Sequence, residues 1–187
     1  MLETERLFIR DMRASDIDEL SPFMQAHEYW RHLPIEPPTP ESVSTLVERL
    51  VSASTKNPRA NYHLVAVDKH SDQFVGTIDL HTYALWQQAE MGWAVVSHRT
   101  SLGFATEMCR ATLRFGFGSL GLHRVQARCR SLNIASRRIM AKIGMREEGT
   151  IRDNMFIRGE WWSTVQGAIL SIDPEGPLAP ITKEHGS

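Results

Sequence analysis

Ser101-Leu102-Gly103-Phe104-Ala105-Thr106-Glu107 is the stretch on which the fold turns, because a short glycine-containing loop runs straight into an amphipathic helix. Ala105, Met108, Cys109, Leu113 and Phe117 recur at helical spacing, so one face of that helix is committed to a core. Its first turn then points at whatever lies over the loop. The leading N–H groups of a helix have no partner inside it and carry the positive end of the macrodipole. Small residues at Gly103 and Ala105 let an anion approach the backbone, which is the chemistry of a phosphate cradle.

The flanking segments set the topology. Upstream, residues 62–68, 74–81 and 89–96 read as strands separated by turn residues, an antiparallel meander. Downstream, Val125, Ala127 and Cys129 alternate with Gln126, Arg128 and Arg130, the pattern of a half-buried strand after a helix over 103–116. Strand, loop, helix and strand in that order predict a right-handed crossover between parallel strands. Residues 133–143 read as a further helix, capped by Asn133 and stopped by Gly144, with Met145 placed for a Schellman contact. Closing strands over about 147–156 and 161–172 predict a hairpin around Arg158-Gly159-Glu160.

Toward the N-terminus, residues 6–10 alternate as a short strand and 14–24 carry a helical pattern. Val43, Leu46, Val47, Leu50 and Val51 mark a second helix, with Thr39 as its cap and Pro40 in its first position. Between these helices Tyr29 and Trp30 precede Pro34, Pro37, Pro38 and Pro40. This is a stiff connector that suits a pocket rim as well as it suits plain structure.

At 187 residues with 42% hydrophobic content and no break in composition, the chain is expected to form one unit over 1–173, with a flexible Pro- and Gly-rich tail over 174–187. A formal net charge of −1 gives no overall field toward nucleic acid or a membrane. No apolar run has the length of a signal peptide core or a membrane span, so the expectation is a soluble, cytoplasmic protein. Cys109 and Cys129 both fall at core positions and are expected to be reduced.

Two motifs mislead. Gly116-Phe-Gly-Ser-Leu-Gly121 spells a dinucleotide fingerprint, but it closes a helix where the fingerprint must open one. His27-Glu28 with His32 echoes a zinc-protease motif, yet the histidines lie five apart and not four, and no other metal-ligand spacing occurs, so no metal is expected. Arg124, Arg128, Arg130, Arg137 and Arg138 fit a solvated basic face better than a nucleic-acid site.

Taken in order, Leu2-Glu3-Thr4-Glu5-Arg6-Leu7, Phe74-Val75-Gly76-Thr77-Ile78, Ala89-Glu90-Met91-Gly92-Trp93, Gly103-Phe104-Ala105-Thr106-Glu107, and Asn133-Ile-Ala-Ser136 running to Ile143-Gly144-Met145 resemble the GNAT superfamily of acyl-CoA N-acetyltransferases, in its Rim-type ribosomal-protein branch. The resemblance implies an α+β fold: a central, mostly antiparallel mixed sheet, splayed where two parallel strands part and flanked by helices. It implies acetyl-CoA in that splay, contacting Ala94, Val95 and Val96, the loop and helix start at Thr100, Ser101, Leu102, Gly103, Phe104, Ala105 and Thr106, and Asn133 and Ser136. It implies direct transfer of the acetyl group to a primary amine, on a protein N-terminus or a small molecule, and it leaves a homodimer open. The alternative is a module that binds acyl-CoA without transferring the acyl group.

Three departures stand out: Thr100 fills a place where the family commonly has Gln or Arg, Met140 one often held by tyrosine, and Ser163 one often held by aspartate. An alkylammonium near its usual pKa of about 10.4 needs a base before it can attack. The resemblance points to Glu90 as that base and to Ser136 as the source of a proton for the departing thiolate. Asp79 and His81, sharing one face at period two, are alternatives for the base. Trp30, His81, Tyr83 and Trp86 are the candidates for contact with the amine.

Overall fold

The computed structural model describes residues 1–174 and 176, so the tail expectation lies, from 175 and 177 onward, outside the described residues. Eight strands, β1 (Leu2–Glu3), β2 (Leu7–Asp11), β3 (Asn61–Asp68), β4 (Phe74–Tyr83), β5 (Gln88–Val95), β6 (Arg124–Arg130), β7 (Arg146–Ile157) and β8 (Glu160–Leu170), form one sheet in the order β1-β2-β3-β4-β5-β6-β8-β7. The helices are α1 (Ile17–Gln25), α2 (His27–Trp30), α3 (Pro40–Ser54), α4 (Phe104–Gly118) and α5 (Ile134–Lys142). The meander, the crossover and the hairpin are all present. Every neighbouring pair is antiparallel except β5 and β6, which are joined through α4 and run parallel.

Local chemistry explains the element ends. Thr39 caps α3 by accepting from the Ser42 N–H, with Pro40 in the first turn. Asn133 caps α5 through the Ser136 N–H at 3.1 Å. Gly144, at φ +86°, ends it as a Schellman motif, with Met145 N–H donating to Met140 O and Gly144 N–H to Ala141 O. Arg158 and Gly159 both take positive φ in the hairpin turn. The helix expected over 14–24 is divided. A 3-10 turn at Ala14–Asp16 precedes α1, because the buried Asp16 carboxylate is pinned by Arg10 and by the Arg13 N–H. The connector also holds one helical turn, α2, that proline content had masked.

The sheet separates two cores. On one face Leu7, Ile9, Ile78, Leu80, Met91 and Val125 pack against Met108, Leu113 and Phe117 of α4 and Met140 of α5. On the other, Val65 and Phe74 meet Leu20, Phe23 and Met24 of α1 and Val43 and Val47 of α3. Alternation along the strands therefore puts Glu90, Gly92 and Ala94, together with Thr77, Asp79 and His81, on the α1–α3 face. Of the glycines at the end of α4, Gly116 belongs to packing: a Cβ there would lie 3.2 Å from Leu122 Cδ1. Cys109 is buried and Cys129 half-buried, both unpaired by a disulfide. Burial pushes the Cys109 thiol well up and Cys129 up to about 11.

Gly76 is where β5 comes nearest to β4. A Cβ there would sit 2.1 Å from Ala94 O and 2.9 Å from Val95 Cα, so the close approach demands glycine. Gly76→Ala is expected to cost about 1–3 kcal/mol through forced backbone movement. It would show as a lower urea midpoint at an unchanged m-value.

Candidate functional site

The parallel pair β5–β6 is short. Gln88, Ala89 and Glu90 pair with Arg124, Val125 and Gln126, and beyond Glu90 the strands pair no further. Residues 91–95 of β5 and 127–130 of β6 therefore diverge. Since the Val96 N–H donates to Val75 O in β4, alternation turns the Val95 N–H the other way, toward the gap. Glu90 marks the fork. Arg128 donates to both its oxygens, at 3.0 Å and 2.8 Å, and Gln126 Nε2 to Oε2 at 3.3 Å.

At the open end of the fork stands the loop into α4. Ser101 and Gly103 have φ +64° and +86°, and no side chain caps the helix at Gly103. The loop is pinned from behind. Glu107, in the first turn of α4, accepts from Thr4 Oγ1 at 2.6 Å, from the Arg6 N–H at 2.9 Å and from Arg6 Nε at 2.8 Å. Arg6 also donates to Leu102 O at 3.0 Å and lies over the Phe104 ring. Two sequence motifs about a hundred residues apart thus form one lock. Burial opposes ionisation of Glu107, but the hydrogen bonds from Thr4 and Arg6 outweigh it and hold the carboxyl below the usual range. Arg99 donates to Asp68 at 2.6 Å, with Ser71 and Gln73 as further partners, and its guanidinium lies 5.8 Å from the centre of the Phe104 ring. Thr100 Oγ1 donates to Ser97 O.

The amine candidates fall into three places. His81 lies on the α1–α3 face, its Nδ1 2.9 Å from Asn61 Oδ1 and its ring 5.1 Å from that of His63. Trp30 is an anchor of the connector, donating to Gln25 O under the Arg158 guanidinium. Tyr83 and Trp86, both exposed, sit near the start of β5, at the opposite end of that strand from the loop. Asp79 Oδ1 lies 2.6 Å from Nδ1 of the buried His63, a partner that no sequence motif announces; only cross-strand register reveals it. Asp79 stands opposite Gly92, and a Cβ built on Gly92 would meet no atom within 4 Å. The sheet face is open there. Nearby Tyr29 is pushed up to about 12 by burial and by the Asp79 carboxylate, so it remains a phenol.

The C-terminal hairpin roofs this face. Arg158 donates to the carbonyls of Arg31, Leu33 and Ile35 in the connector and stacks over Trp30 and Trp162. Four of the five arginines of the expected basic stripe are paired with carboxylates, Arg124 with Glu148, Arg128 with Glu90, Arg130 with Glu160 and Arg137 with Glu147. Ser136 is half-buried in the first turn of α5. Met140 is buried in the main core, and Ser163 is bonded to Asp153, where the β7–β8 register shifts. Among the described residues no helix is long and apolar enough to cross a membrane.

The Glu107 lock predicts an acid-dependent stability. A carboxyl depressed in the folded state contributes stability above its ordinary value of 4.5 and loses it as pH falls through the folded value. Glu107→Gln should cost about 1–2 kcal/mol at neutral pH. The gap to the parent, measured by denaturation at a series of pH values, should close below pH 4.5.

The sequence profile of the acetyltransferase (GNAT) domain family matches residues 6–146. The chain is 30% identical to YnaD of Bacillus subtilis (strain 168), described as an uncharacterized N-acetyltransferase, across 90% of this chain and 96% of that protein. Its fold superposes on an acetyltransferase of the GNAT family from Bacillus anthracis with a TM-score of 0.80 at 29% identity, covering 90% and 97% of the two chains. Mycobacterium smegmatis RimJ, solved with CoA-disulfide, has a TM-score of 0.76 at 24% identity over 88% of this chain and 82% of its own, a likeness of fold.

Proposed function

The chain belongs to the acetyltransferase (GNAT) family of N-acetyltransferases, and from that premise we propose that it transfers an acetyl group from acetyl-CoA directly to a primary amine. The observation that carries this reading is the fork: β5 and β6 part after three residue pairs beside an uncapped helix N-terminus. Backbone left unpaired at a strand edge needs a partner, and an elongated ligand with amide groups and a pyrophosphate meets both needs at once. Positive φ at Ser101 and Gly103 turns successive N–H groups toward one side, the arrangement that a phosphate requires.

In this reading Ala94, Val95 and Val96 border the pantetheine arm, residues 100–106 hold the pyrophosphate, and Asn133 and Ser136 lie along the far wall. Acetyl-CoA supplies the thioester. The Val95 N–H is placed to stabilise the carbonyl oxygen as charge develops on it, a contribution of roughly 3 kcal/mol for one such donor. The Ser136 hydroxyl serves the departing sulfur. Because a thiolate is a fair leaving group, its loss should cost less than loss of the base. The amine enters over Gly92 on the α1–α3 face, under the connector and the β7–β8 hairpin.

Calorimetric titration with acetyl-CoA, with ATP as control, tests the cradle; saturable binding much tighter than ATP is expected. Thiol release from acetyl-CoA in the presence of a short peptide with a free N-terminal alanine, or of spermidine, tests transfer. Binding without amine-dependent release from either probe would instead favour a non-catalytic acyl-CoA-binding module. Gly92→Val, which fills the open face, should raise the amine KM at least tenfold while leaving acetyl-CoA affinity within twofold.

A further inference from the structure

Two carboxylates stand on the sheet face beside Gly92, and their surroundings differ. Glu90, the last paired residue of β5, has both oxygens engaged by Arg128 and Gln126, and its pair with Arg128, two residues past Gln126, spans the two strands where they begin to part. With both oxygens taken up in this way, the Glu90 side chain is committed to bridging the two strands. Asp79 is different. Only Oδ1 has a partner, Nδ1 of His63 at 2.6 Å, and the side chain is 34% exposed. An ionised carboxylate only accepts hydrogen bonds, so the Nδ1 proton belongs to His63, and the buried ring orients Asp79 from behind. Asp79 Oδ2 has no protein hydrogen-bond partner among the described residues. Directly opposite in register is Gly92, whose missing side chain leaves open space.

Resting on the transferase reading above, we propose that Asp79 is the catalytic residue that takes the amine proton, that His63 is its positioning residue, and that Glu90 instead holds the fork. The neutral amine donates its lone pair to the thioester carbon, forming the N–C bond. Asp79 takes the N–H proton whose acidity rises as that bond forms. The C–S bonding pair leaves with sulfur, which takes up a proton from solvent through the Ser136 hydroxyl, while Asp79 returns its proton to solvent, so one proton leaves nitrogen and one reaches sulfur. The other charged or titratable groups facing Asp79 are His81 on the same strand, Tyr29 on α2, and the Glu90–Arg128 pair, already neutralised.

The test measures thiol release with the two amine probes above alongside acetyl-CoA titration, on the full chain. Asp79→Asn, which keeps an oxygen to accept from His63, should lower kcat at least 100-fold, as loss of a general base does. Its acetyl-CoA affinity should stay within twofold. Glu90→Gln should lose less than tenfold. His63→Leu should lower kcat, because the contact that orients the Asp79 carboxylate is gone. His63→Asn, whose amide N–H reaches the same position, should restore most of the rate, which a purely structural role would not predict. The assignment is overturned if Glu90→Gln abolishes release while Asp79→Asn retains it, or if neither changes the rate. Acetyl-CoA binding without release in the parent protein overturns the transferase reading and this assignment with it. Absence of acetyl-CoA binding removes the cradle itself.

Discussion

The early parting of β5 from β6 is the constraint to which the rest of the molecule answers. A parallel pair that stops after three residues leaves backbone donors and acceptors on both strands without ladder partners, in the middle of an eight-stranded sheet. Such groups are costly to leave unmet, so the fork persists only if its two arms are held apart by something stronger. Three devices do so. Gly76 lets β5 lie against β4, the Glu90–Arg128 pair bridges the strands at the apex, and α4 and α5 pack on one face as parts of a single core that holds both arms.

The same division gives the two faces different tasks. The α4 side is dry and continuous, from Leu7 through Met108 to Ile169, and it fixes the helix whose N-terminus borders the fork. That helix start would be free to fray on its own. Thr4 and Arg6, between β1 and β2, hold Glu107 and the Leu102 carbonyl through charge-assisted hydrogen bonds, and Arg6 also stacks on the Phe104 ring. On the opposite face the sheet carries His63, Asp79, His81 and Glu90 where a second hydrophobic core might have continued, and that core stays confined to the region under α1 and α3.

Much of this was legible because it is local. The caps at Thr39 and Asn133, the Schellman ending at Gly144 and the alternation of β6 are each decided by a few neighbouring residues. The ordered motifs from Leu2 to Met145 also carried the family resemblance. What stayed hidden depends on register between strands or on contacts across the chain. His63 reads as an ordinary strand residue until β3–β4 pairing sets it beside Asp79. Gly76 and Gly92 look alike in sequence, yet one is crowded by backbone and the other opens a space. Glu90 looked unencumbered because Arg128 lies 38 positions away.

The departures at Thr100, Met140 and Ser163 can be weighed on the same terms. A site that had decayed would be expected to leave unsatisfied groups where family residues once stood, and these three do not. Thr100 closes the 3-10 turn on Ser97, Met140 fills core volume against Gly167, and Ser163 both donates to and accepts from Asp153 at the irregularity of β7. Each substitution is absorbed by its surroundings. The connector is held from still farther away, by Arg158, which reaches across more than a hundred residues of sequence to the Arg31, Leu33 and Ile35 carbonyls. A guanidinium that satisfies three backbone acceptors and covers two indole rings fixes the connector's path far more strongly than the connector's own prolines could. The connector's course is therefore tied to a contact between distant parts of the chain, which no local motif encodes.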